Sequence, residues 1–101
     1  MKTLNDFRES LNLEQPGSGL SVQLNSLWYD ARGDWGKAHA QVDQMKDQDS
    51  ALVHAYLHRK EGDIWNADYW YRKAGAIRPD LSLEEEWEQL VLQFLQLKPK
   101  V

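Results

Sequence analysis

Apolar residues recur along this chain at helical spacing, in separate blocks. Trp35, Ala38, Val42 and Met45 are three, four and three positions apart, and so are Ile64, Ala67, Tyr71 and Ala74. Such spacing lays one stripe along a helix of 3.6-residue period, whereas a half-buried strand alternates at every second residue. Upstream of the first block, Leu20, Leu24, Leu27, Trp28 and Ala31 make another stripe. Upstream of the second, Leu52, Ala55 and Tyr56 do so, flanked by Val53 and Leu57. A Gly-Asp pair separates the helices of each couple: Gly33-Asp34 and Gly62-Asp63. Glycine enters the left-handed conformation that ends a helix, and an aspartate side chain accepts from the free amides that begin the next one. Gly-Asp also turns β-hairpins, but the flanks are periodic as helices, so each unit is expected to be helix, turn, helix.

The two units repeat one another. Gly62 follows Gly33 by 29 positions, and the same offset places Ala67 on Ala38, Tyr71 on Val42, Ala74 on Met45, Leu57 on Trp28 and His58 on Tyr29. Sizes match more than identities. A third region follows Pro79: Ser82 and Glu85 have capping-box spacing, and Trp87, Leu90, Val91, Phe94 and Leu95 form one apolar face. Glutamates in its first turn and Lys98 after its end suit the helix dipole. At the front, Leu4, Phe7, Arg8 and Leu11 predict a short helix, and Gln15 to Gly19 a connector. The expected organisation is one all-α domain over residues 1–101. It has an extension (1–18), a first repeat (19–48), a second repeat (49–79) and a capping helix (80–97).

Composition narrows the classes. A chain of 101 residues with 42 % hydrophobic, 28 % charged and 11 % aromatic residues is sized and balanced as one small folded domain. No apolar run approaches the roughly 20 residues of a membrane span, and no secretory leader is expected from the start of the chain. Zero cysteines exclude disulfide, thiolate and zinc-thiolate chemistry. Twelve Lys+Arg against 16 Asp+Glu give a net charge of −4, which disfavours nucleic acid as a partner. A cytoplasmic location is expected.

The element Gly62, Asp63, Ile64, Ala67, Tyr71, Ala74 and Pro79 resembles a tetratricopeptide (TPR) repeat, and Gly33, Asp34, Trp35 and Ala38 resemble the first half of an earlier copy. The likeness spans residues 19–79. It departs from the family in three ways. The period is 29 rather than about 34. The Leu-Gly pair of the family's first helix is replaced by Asn25-Ser26 and His54-Ala55. Two units are fewer than the three or more usually needed for stability, so flanking helices or a second copy must supply the missing burial. The resemblance implies antiparallel helix pairs and a protein or peptide partner bound on the first helix of each. That surface would be Gln23, Leu27 and Asp30 in one unit, and Tyr56, Arg59 and Lys60 in the other. Arg59, Lys60 and Tyr56 offer an anion or acidic-peptide site as the alternative reading, although cations at a helix C-terminus need no ligand to explain them.

Three histidines hold the only other candidate chemistry. His54 and His58 share a helix face at i and i+4, and His39 lies on the preceding helix. The preferred reading is that they fill polar-tolerant positions between helices, with no cofactor and no catalytic residue. The alternative is a metal-binding protein or metal-dependent hydrolase using His39, His54 and His58, with Asp30 or Asp34 adding an oxygen ligand. No His-Glu-x-x-His, glycine-rich phosphate loop or serine elbow is present.

Five tryptophans and four tyrosines exceed what one short stack encloses. Tyr71 lies on the core stripe, while Trp65 and Tyr69 pair at i and i+4 on another face. Either the terminal helix covers that face, or it is a self-association surface, with Trp65, Tyr69 or Trp87 at a homodimer contact.

Overall fold

A computed structural model describes residues 3–96, and every regular element among them is an α-helix. In chain order these are α1 (Leu4–Ser10), α2 (Val22–Ala31), α3 (Trp35–Val42), α4 (Gln48–Lys60), α5 (Ile64–Lys73) and α6 (Leu83–Gln96). None is long and apolar enough to cross a membrane. The roles expected of Leu97 and Lys98 at the chain's end lie outside the described residues.

Side-chain caps start the helices. Thr3, Ser21, Asp34, Asp47 and Asp63 each accept a hydrogen bond from a backbone N–H in the first turn that follows. At α6 the Ser82 hydroxyl accepts from the Glu85 amide at 3.1 Å while the Glu85 carboxylate accepts from the Ser82 amide at 3.0 Å, the reciprocal box its spacing predicts.

The Gly-Asp turns are built alike. Gly33 has φ 82° and Gly62 φ 89°. Gly33 N–H donates to Asp30 O and Asp34 N–H to Tyr29 O; Gly62 N–H donates to Arg59 O and Asp63 N–H to His58 O. Both are Schellman stops, which satisfy the last carbonyls of one helix while the next residue caps the following helix. The chain therefore reverses twice in the same way, pairing α2 with α3 and α4 with α5.

Positions 29 apart also share a fate. Ala38 and Ala67, Val42 and Tyr71, Trp28 and Leu57, and Ser26 and Ala55 are all buried. Ser26 and Ala55 are small enough for close helix approach, and the Ser26 hydroxyl donates to Ala38 O at 2.7 Å across the first pair. The stripes end sooner than their spacing predicts. α3 stops at Val42 and leaves Met45 exposed, because Asp47 already caps α4. α5 stops at Lys73, with Ala74 as its cap residue and Gly75 at φ 73°, so Pro79 lies beyond the stop.

The helix α6 closes the main core. It packs against α1, α2 and α4, burying Trp87, Leu90, Val91 and Phe94 with Phe7, Leu27, Trp28 and Tyr56. The radius of gyration, 12.7 Å, is that of a globule of this length rather than of an extended superhelix. Among the helices, α5 packs its backbone against α4, and it meets α6 through the Tyr71 hydroxyl.

Candidate functional site

The surface expected on α2 and α4 is mostly interior. Leu27 is fully buried, and Asp30 and Tyr56 are buried with it. Tyr56 Oη donates to Asp30 Oδ2 at 2.8 Å, and Lys60 Nζ donates to Asp30 Oδ1 at 2.8 Å. Burial first, then the Asp30 charge, push the Tyr56 phenol above its ordinary value, so it remains a donor. Arg59 Nη1 reaches Glu86 Oε1 at 2.8 Å, its Nη2 donates to Leu81 O, and Tyr71 Oη donates to Glu86 Oε2 at 2.6 Å. The cations expected to meet an anionic partner are thus paired within the chain. Gln23 is half-buried and donates to Ser50 Oγ and Asp47 Oδ2. Leu27, Asp30 and Tyr56 are thus interior, while Gln23 and Arg59 are half-buried and Lys60 is exposed, and all but Leu27 join helices through these side-chain bonds. α6 packs on both α2 and α4 and takes up part of their surface.

The histidines do converge. His39 on α3 and His54 and His58 on α4 bring one ring nitrogen each to within 4.8 Å of one another. His39 Nε2 lies 3.0 Å from His54 Nε2. His58 Nδ1 meets Glu61 Oε1 at 2.6 Å, and His39 Nδ1 lies 3.9 Å from Asp43 Oδ2. His54 Nδ1 has no hydrogen-bond partner among the described residues, although the side chain is only 4 % exposed. Two indoles wall the cluster. Trp35 stacks on His39 at 4.8 Å between centroids, and Trp70 stacks on His54 at 4.0 Å. Trp35 is itself held by its Nε1, which donates to Leu57 O at 2.8 Å. Burial, then the neighbouring His39 and His58, lower the His54 pKa to about 4; burial, then His58, also lower that of His39. Both shifts favour the neutral form of His39 and His54.

Asp30 and Asp34, expected as oxygen ligands, are elsewhere. Asp30 holds Lys60 and Tyr56, and Asp34 caps α3. The carboxylates beside the cluster are Asp43 and Glu61, at i+4 from His39 and i+3 from His58. That spacing was visible in the sequence, as was Trp35 at i−4 from His39. His58, Glu61 and Asp63 form a second gathering, but Asp63 is engaged as the cap of α5 and both carboxylates are exposed.

The aromatic face is the one sequence-predicted surface that is open. Trp65 is 78 % exposed and Tyr69 37 %. Coverage by the terminal helix is overturned, since Trp65 stays open while α6 packs on α1, α2 and α4. Trp87 is corrected in the opposite sense. It is buried against Phe7, and its Nε1 donates to Leu27 O at 3.0 Å, which removes it from any self-association surface. Lys73 Nζ sits 5.5 Å from the Tyr69 ring centre, extending the stripe Trp65, Tyr69, Lys73 at i, i+4, i+8.

Compared with known protein families, with curated proteins and with solved structures, the chain matches none.

Proposed function

We propose that this chain is a small helical interaction domain that docks through the outer face of α5, and that the occupant is a second copy of itself. The observation that carries the reading is Trp65, a large apolar side chain left 78 % exposed beside a half-exposed Tyr69 on a helix whose other side is already packed. Tryptophan and tyrosine are the usual anchors of interfaces.

Charge favours a copy of the same chain. Exposed Glu61 and Asp63 stand at the start of α5, and exposed Arg72 and Lys73 at its end. A two-fold axis at the level of Ala67 runs two α5 helices antiparallel. It sets Trp65 against the partner's Tyr69 and the acidic end of one helix against the basic end of the other. Such a contact is isologous and closes as a dimer. The paired helix dipoles also oppose one another favourably.

Within this reading α2–α3 and α4–α5 are two degenerate TPR-like repeats, supported by the repeated Schellman turn and the matched burial of positions 29 apart. Chain ends α1 and α6 supply the burial that further repeats would otherwise provide. The reading assigns no catalytic residue.

A charge-swap experiment tests the occupant. The double variant Arg72→Glu/Lys73→Glu is expected to lose self-association at low salt, and mixing it with Glu61→Lys is expected to give a heterodimer. Two variants that each associate like the wild type, and no better together, would contradict the antiparallel pairing.

A further inference from the structure

We propose that His39, His54 and His58 form a binding site for one divalent transition-metal ion of the zinc, nickel or copper class. Three neutral imidazoles are the donor set such ions prefer, whereas calcium and magnesium require oxygen. The geometry is close to a coordination shell. The two Nε2 atoms of His39 and His54 are 3.0 Å apart. With metal–nitrogen bonds of about 2.0–2.1 Å, that separation subtends about 95°, near an octahedral or square-planar edge. A tetrahedral ion would need them about 3.3–3.4 Å apart, an opening of a few tenths of an ångström.

The surroundings orient the rings as metal sites do. Glu61 engages His58 Nδ1 at 2.6 Å and so leaves Nε2 to carry the lone pair. Ligating histidines commonly give their second nitrogen to a carboxylate in this way. Asp43 Oδ2 lies farther from His39 Nδ1, at 3.9 Å, beyond hydrogen-bond distance. Trp35 and Trp70 hold the outer two rings from either side, which fixes their planes and keeps bulk water away. His39 is only partly buried, so an ion has an entry path.

His54 is 4 % exposed, and its Nε2, the atom that faces the cluster, meets only the His39 imidazole, so an ion there would displace no other bond of this ring. Two elements would be joined by the ion, since His39 comes from the first helix pair and His54 and His58 from the second. Binding would therefore brace the α3–α4 junction.

Isothermal titration calorimetry of the full chain with zinc chloride, and separately with nickel chloride, tests the site. One equivalent is expected to bind saturably, with a rise in melting temperature that a chelator reverses. The chain has three histidines in all, so imidazole NMR signals can be assigned without ambiguity, and all three are expected to shift. His39→Gln, at the partly exposed position, is expected to keep the helical circular dichroism and lose at least about 100-fold in affinity. Glu61→Gln is expected to weaken binding by about 10- to 100-fold through the ring it orients. No saturable binding up to about 0.1 mM metal in the wild type would overturn the proposal. So would an unchanged affinity in a folded His39→Gln protein.

Discussion

Single side chains decide how each helix starts in this molecule. Asp63 accepts from the Asn66 amide at 3.2 Å and Asp34 from the Lys37 amide at 3.0 Å, satisfying donors that would otherwise face only solvent. Asp63→Ala is expected to cost roughly 0.5–2 kcal/mol in urea denaturation. Gly62→Val is expected to cost more, because a β-branched residue resists the φ of 89° found there. An unchanged midpoint for both would mean that the turn contributes nothing to stability. His54 sets a pH dependence at the same scale. In the folded chain its pKa is lowered to about 4, by burial first and then by the facing His39 and His58, while Asp43 acts the other way. The unfolded chain binds that proton near pH 6.5, so the folded state gains nothing from protonation between the two values. Stability of the chelator-treated protein is therefore expected to be full above about pH 6.5 and to fall as pH drops toward 4. Denaturation midpoints across that window check this, and His54→Gln is expected to flatten the slope.

Helices are joined by buried polar groups as much as by apolar faces. Glu86 on α6 is buried, accepts from Tyr71 on α5 and pairs with Arg59 on α4, so one carboxylate ties three helices. Glu86→Ala leaves the half-buried guanidinium without its partner and is expected to cost about 3–5 kcal/mol. Tyr71→Phe removes one hydrogen bond to a charged group and is expected to cost about 1.5–3 kcal/mol. Chemical denaturation of both variants ranks them, and a Tyr71→Phe cost above that of Glu86→Ala would contradict the arrangement. This network also marks where sequence reading stopped. The helix pairs were legible because the 3-4-3 spacing and the Gly-Asp turns act within about 15 residues of chain. Partners such as Asp30 for Lys60, Glu86 for Arg59 and Leu27 O for the Trp87 indole come from other helices, 27 to 60 positions away. Nothing in a helical period reveals them. Arg59 and Tyr56 therefore read as a surface, and Trp87 as an interface anchor, when they are internal braces; Lys60 does lie at the surface, but tied to the buried Asp30. The histidine cluster lay between these cases. The i,i+4 pair was visible, and His39 joined it because α3 packs on α4.

As a whole the molecule buries its large aromatics unevenly. Trp28, Tyr56 and Trp87 are enclosed in the core that α1, α2, α4 and α6 share, and Tyr71 is buried between α5 and α4, while α5 turns Trp65 and Tyr69 outward. Small domains have little stability to spare, and an apolar face left in water contributes nothing to it. Pairing two α5 faces, as proposed, would remove the tryptophans from water and oppose complementary charges. Trp65 is remote from the core, so its replacement should leave the fold within about 0.5 kcal/mol of the wild type. Sedimentation equilibrium of the wild type beside Trp65→Ser is the direct measurement. A mass that doubles with concentration in the wild type, and stays monomeric in a folded Trp65→Ser protein, is expected. A monomer mass for the wild type at high micromolar concentration, or equal association in the two proteins, would contradict docking through α5.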